Sequence, residues 1–195
     1  SRAVITLQEF LSPGRLGNRP VDLVDLSVAI DAAATSVAAL APADNPMSAP
    51  GTTLSGLMVL RTTEGPYWLS FNVGDSRAYV LRGDTLTQVT TDHSFVQYLV
   101  DTGQITPEEA EHHPNRNVVL KILGDAQADV APDETIREAV VGDRWMLCSD
   151  GLSGLVSPET IGQVMADIKD PGECAEELIR LALLGGGPDN ITCVI

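Results

Sequence analysis

Apolar residues recur along this chain with two different periods. Near the start, Val4, Ile5, Leu7 and Leu11 fall on one face, predicting a short helix over 3–11 that lacks a capping residue. Pro13-Gly14 and Gly17-Asn18 then form a loop. Leu23, Leu26, Ile30, Ala33, Val37 and Leu40 return at spacings of three and four, so a long helix is expected from about Pro20. Asp22 and Asp25 suit its positive end. Residues 41–53, rich in Pro, Ala, Ser and Gly, read as an exposed loop.

The period then shortens to two. Strands are expected at 54–62, 67–73, 77–81 and 86–90, the last two joined by a turn at Arg82-Gly83-Asp84-Thr85, and the block reads as an antiparallel meander. Residues 91–124 break the pattern. Ser94 to Val100 reads as helical, and Thr106 with Glu109 forms a capping box around Pro107. Residues 117–123 suggest another turn or two, so 91–124 is expected to be a helical insertion between strands. Strand signals return at 136–141 and 144–148. Helices follow at 157–166 and 171–184, with Gly185 as the residue after the second, and a last strand at 191–195. Segregated strands and helices in one 195-residue domain predict an α+β fold, an antiparallel β-sandwich flanked by helices in αββα layers.

Composition narrows the function. The chain has 27 acidic and 12 basic residues, a formal net charge of -15, which disfavours nucleic-acid and anionic-membrane partners. Three cysteines make no disulfide framework, and Cys148 and Cys193 lie in apolar runs as core residues. This composition fits the cytoplasm. The longest apolar stretch is interrupted by Asp31, so no membrane contact is expected within the chain.

The candidate chemistry lies at two strand ends. Trp145-Met146-Leu147-Cys148 leads into Ser149-Asp150-Gly151, and Gly185-Gly186-Gly187-Pro188-Asp189-Asn190 leads into the last strand. Were these strands antiparallel neighbours, Asp150 and Asp189 would meet at one sheet edge. Aspartates there offer hard oxygen ligands of the kind that suit Mg2+ or Mn2+. A lone Asp-Gly is ordinarily a turn; the convergence of two such stretches argues for a site.

LCSDGLSGLVS at 147–157 and GGPDNIT at 186–192 resemble the C-terminal signature of the protein phosphatase 2C (PPM) family, metal-dependent serine/threonine phosphatases. PGTTLSGLMV at 50–59 and the long block from Phe71 to Val119 agree with the bacterial branch, including its helical flap at 91–124. The resemblance covers nearly the whole chain. It implies that Asp150 and Asp189 are metal ligands, that Asp92 helps hold a third ion, and that Gly151 and Asn190 lie beside these ligands. It implies Mn2+ or Mg2+, two ions and in some members three. They activate a water that attacks phosphorus in line with the departing serine or threonine oxygen. Phosphorylated proteins are the implied partners, a serine/threonine kinase among them. Asp75-Ser76-Arg77 reads as a hydrogen-bonded turn, and His93, His112 and His113 as surface or packing residues of the flap.

The family's opening strands, with an Asp-Gly-x-Gly-Gly motif, have no counterpart here. The chain therefore resembles a phosphatase domain lacking its N-terminal segment, and weak Mn2+ binding with little activity is expected of it alone. A pseudophosphatase acting as a binding module shares the same motifs. Gly74-Asp75-Ser76 also resembles a block of one lipase family, but that family needs a later histidine, and none follows His113. Arg82-Gly83-Asp84 is better read as a hairpin turn than as an adhesion motif.

Overall fold

The long helix starts after Asp22 rather than at about Pro20, on a capping box: the Asp22 carboxylate accepts from the Asp25 amide at 2.9 Å while Asp25 answers on the Asp22 amide at 3.1 Å. Helix α1 spans Leu23–Ala38 and buries Leu26, Ala29, Ile30, Ala33 and Val37. Leu40 lies beyond it and is exposed. The computed structural model describes residues 7, 11–12, 21–42, 44, 50–124 and 131–195. Most of the helix expected over 3–11, the following loop and part of 41–53 lie outside them.

Strands β1 (Leu54–Thr62) and β2 (Gly65–Val73) pair antiparallel, and β5 (Asp133–Glu138) joins β2 on its other side. Strand β3 (Arg77–Arg82) pairs instead with β4 (Thr85–Gln88) and β6 (Arg144–Cys148), and β7 (Cys193–Val194) closes that sheet in the order β4-β3-β6-β7. The expected four-strand meander is thus two hairpins in two sheets. The chain changes sheet at Gly74, whose φ of +106° favours glycine and whose absent Cβ leaves room for Thr53. The buried Asn72 carboxamide fixes this corner, accepting from the Ser55 hydroxyl and donating to the Gly74 carbonyl at 3.0 Å.

Between β4 and β5 lie two short helices, α2 (Phe95–Asp101) and α3 (Pro107–Glu111), the latter with the expected Thr106–Glu109 capping box. Residues 117–123 form no helix and instead run from a turn through two isolated bridges. Val119 bridges to Ser94 and Leu123 to Thr52, consistent with the β-branched Val118, Val119 and Ile122. Strand β5 starts three residues before the expected 136, because its register is set by pairing Asp133 through Glu138 with β2; Val140 and Val141 fall outside it and are exposed.

A one-turn helix, α4 (Asp150–Ser153), follows β6 directly. Helices α5 (Pro158–Asp167) and α6 (Pro171–Leu184) follow, capped by Ser157 and Asp170. Gly185 caps α6, and the left-handed turn falls one residue later, at Gly186 with φ +112°. Two cores result. One packs α1 on Leu54, Leu69, Phe71 and Val73; the other packs Leu152, Ile161, Met165, Cys174 and Leu178 on Tyr79, Leu81, Met146 and Cys148. Each fully buried leucine contributes roughly 2 kcal/mol. Trp68 and Trp145 touch between the sheets with ring centroids 5.8 Å apart. The layers are helix, sheet, sheet, helix, and the candidate site sits at the edge where β6 ends and β7 begins.

Candidate metal site

Strands β6 and β7 are antiparallel neighbours with Leu147 opposite Val194 and Cys148 opposite Cys193. One more backbone bond follows before the Ser149 side chain takes over. The Ser149 amide donates to the Thr192 carbonyl at 3.1 Å, the Ser149 hydroxyl donates to the Asn190 carbonyl at 3.1 Å, and the Thr192 amide donates to that same hydroxyl at 3.0 Å. Ser149 thereby locks the residue before Asp150 to the residues after Asp189. Gly151 completes the fit: a Cβ there would lie 2.4 Å from the Asn190 carbonyl oxygen, so only glycine lets the two segments approach this closely.

Asp150 opens α4, is exposed, and accepts from the Gly151 amide at 2.9 Å. Asp189 is also exposed and accepts from the Asn190 amide at 2.6 Å. Each uses one carboxylate oxygen on its own chain and keeps other lone pairs toward solvent.

Asp92 has a different setting. It is buried, and Arg77 grips it through Nε at 2.9 and 3.1 Å and Nη2 at 2.7 Å. Gln88 adds a longer contact at 3.4 Å, and Arg77 also reaches the Tyr79 hydroxyl at 3.2 Å. Burial alone would lower the Arg77 pKa, but Asp92 reverses this and raises it. The Asp92 carboxylate is thus engaged by a guanidinium.

Asp75, read from sequence as part of a turn, belongs with the acidic group. Burial raises its pKa first, and the charge of Asp150 raises it further, with a smaller push from Asp92. Among the described residues no three His, Cys, Asp or Glu side chains lie close enough to hold one ion. The signal that could have found Asp75 is positional: it follows the sheet-crossing glycine at the end of β2, and β3 runs beside β6, so its corner faces Asp150.

The histidines pack locally. His93 Nδ1 accepts from the Gly74 amide at 3.0 Å, and its Nε2 lies 3.1 Å from an Asp133 carboxylate oxygen. Burial would raise the Asp133 pKa, but His93 and then Lys121 hold it below the usual range. His113 accepts from the Asn115 amide at 3.1 Å and tilts against Phe95.

Hard oxygen donors with spare lone pairs, and carboxylates that repel one another, fit a divalent cation; their number does not complete a coordination shell. No protein-family model matches the chain. It is 44% identical over 173 residues to the serine/threonine protein phosphatase PstP of Mycobacterium tuberculosis, an alignment covering 89% of this chain and 32% of that protein. The chain therefore spans about a third of the length of this curated relative. The crystal structure of the M. tuberculosis phosphatase PstP/Ppp superposes with a TM-score of 0.84 at 41% identity, covering 100% of this chain and 79% of that one. The PstP catalytic domain in complex with two manganese ions gives a TM-score of 0.79 at 40% identity over 98% of this chain and 78% of that one. With its two sheets, flanking helices and paired Ser-Asp-Gly and Asp-Asn segments, this chain belongs to the PPM family of bacterial serine/threonine phosphatases.

Proposed function

We propose that Asp150 and Asp189 hold a divalent cation, Mn2+ or Mg2+, for hydrolysis of phosphoserine and phosphothreonine in proteins. The observation that carries this reading is the Ser149 junction, which binds the Asp150 and Asp189 segments together at one sheet edge. A relative solved with two manganese ions supports the choice of metal. A bound cation of this kind lowers the pKa of a coordinated water and offsets charge on the phosphoryl oxygens.

The chain's own part is to position acceptors. Gly151 and Asn190 keep the two aspartates on adjoining segments. Asp75, beside Asp150, is the better placed partner for an additional ion than Asp92, whose oxygens already face Arg77. Arg77 and Asp92 stiffen the start of β3 behind Asp75. The segment 91–124 acts as a flap within a single catalytic domain. Phosphorylated proteins, a serine/threonine kinase among them, are the partners, and the setting is cytoplasmic. No helix among the described residues is long and apolar enough to cross a membrane.

The donor set among the described residues is sparse, and weak Mn2+ binding with slow turnover is the expectation for this chain. The same sparseness is what favours the second reading, a module that binds phosphoproteins without hydrolysing them. Phosphate release from a phosphothreonine peptide separates the two. Hydrolysis by the PPM mechanism gives slow release with Mn2+ that EDTA stops and that Asp150→Asn and Asp189→Asn each abolish. Undiminished release in both variants contradicts the site assignment. Binding of the peptide with no metal-dependent release favours the second reading.

A further inference from the structure

The three thiols of the chain lie in the core beneath the candidate site: Cys148 in β6, Cys174 in α6 and Cys193 in β7. Two of them are direct cross-strand partners, Cys148 opposite Cys193. The Ser149 amide bonds to the Thr192 carbonyl, so the hydrogen-bonded pair is the next one along and the cysteines face each other at a non-hydrogen-bonded position. Cα atoms at such positions are typically ~4.5 Å apart, within the roughly 4.4–6.8 Å that disulfides span. Directly opposed residues also project to the same side of a sheet. Both cysteines belong to one packed cluster. Cys193 feels the neighbouring sulfurs: burial chiefly, then Cys148 and Cys174, push its thiol up to about 12. Cys174 is turned elsewhere, its sulfur lying 3.9 Å from the Val164 carbonyl oxygen of α5.

We propose that Cys148 and Cys193 are an oxidisable pair that a peroxide converts to a cross-strand disulfide at the base of the carboxylate site. Cys193 is the more exposed of the two and reacts first. Its thiolate attacks the O–O bond of hydrogen peroxide, giving a sulfenic acid; the departing hydroxide takes up the thiol proton as water. The Cys148 sulfur then displaces the sulfenic hydroxyl, forming the S–S bond and releasing a second water. Two thiols lose two electrons and two protons, and one peroxide is reduced to two waters. The bond staples together the two segments that carry Asp150 and Asp189, two residues after Cys148 and four before Cys193. Among the described residues strand β7 is short and pairs with β6 alone, so the small approach the bond requires meets little resistance.

The test needs neither bound metal nor phosphatase activity. The folded chain is treated with excess hydrogen peroxide, denatured, alkylated and digested, and the peptides are weighed before and after dithiothreitol. The expected result is a linked pair of peptides carrying Cys148 and Cys193 and loss of two of the three alkylatable thiols, both reversed by dithiothreitol. Cys174→Ser retains the link, and Cys193→Ser loses it. Three thiols surviving in wild type, a link through Cys174, a link between two chains, or over-oxidised Cys193 without a link would each overturn the proposal.

Discussion

Burial and the nearby charge of Asp150 hold the Asp75 carboxyl above its usual range. A carboxyl whose folded pKa is raised binds its proton more tightly in the folded state. Folding is therefore favoured below the unfolded pKa of about 3.9 and loses that advantage as pH rises through the folded value. At neutral pH the charged Asp75 costs stability unless a cation offsets it. Asp75→Asn should therefore need more urea to unfold at pH 7 without metal, with the gap from wild type closing as pH falls toward about 4. No gap at pH 7 would mean that burial and the Asp150 charge do not raise the Asp75 pKa. Gly151 carries the opposite sensitivity. In Gly151→Ala the new methyl meets the Asn190 carbonyl at 2.4 Å, so the segments must part. A loss of about 1–3 kcal/mol in urea unfolding is expected, with weaker Mn2+ binding. The sequence was sufficient to bring the segments of Asp150 and Asp189 together, because Asp150 ends one apolar run, Asp189 precedes another, and the two strands are antiparallel neighbours. It did not show the different settings of Asp75 and Asp92, both of which follow strand-like stretches. Their difference rests on which one Arg77 grips, a tertiary contact across 15 positions.

Elements with strong local signals are those the sequence predicts best. The Asp22 box starts α1, Pro158 and Pro171 start α5 and α6, and Thr106 starts α3, each satisfying amides that a helix leaves unpaired. Elements that depend on a distant partner shift. Strand β5 takes its register from β2, the hairpin 77–88 moves to a second sheet, and 117–123 forms no helix because Ser94 and Thr52 pair with it. Helix α4 was not foreseen, since four residues carry too little periodicity to register. The depth of α6 in its core is directly measurable. Leu178 is fully buried among Ile161, Met165 and Cys174, whereas Leu184 is exposed. Leu178→Ala should cost about 2–5 kcal/mol, and Leu184→Ala less than about 0.5 kcal/mol, read from urea midpoints. Equal costs would contradict the packing of α6 on the β4-β3-β6-β7 sheet.

Across the whole molecule, two hydrophobic cores back two sheets, and the acidic site lies where the second sheet ends. The fold holds Asp150 and Asp189 on bonded segments while leaving their carboxylates open to solvent, and the net charge of -15 adds a field that draws cations and repels free phosphate. Under the proposed function, capture of a phosphorylated substrate therefore depends on a metal reversing the sign locally. The architecture was readable from apolar periodicity, whereas the closeness of the two site segments depended on Ser149 side-chain bonds that no periodicity encodes. The most direct test is a Mn2+ titration of the folded 195-residue chain, following free Mn2+ by electron paramagnetic resonance, beside the Asp150→Asn and Asp189→Asn variants. Weak saturable binding by the wild type, lost in each variant, is the predicted result; variants that bind Mn2+ as the wild type does would contradict a metal site at this edge.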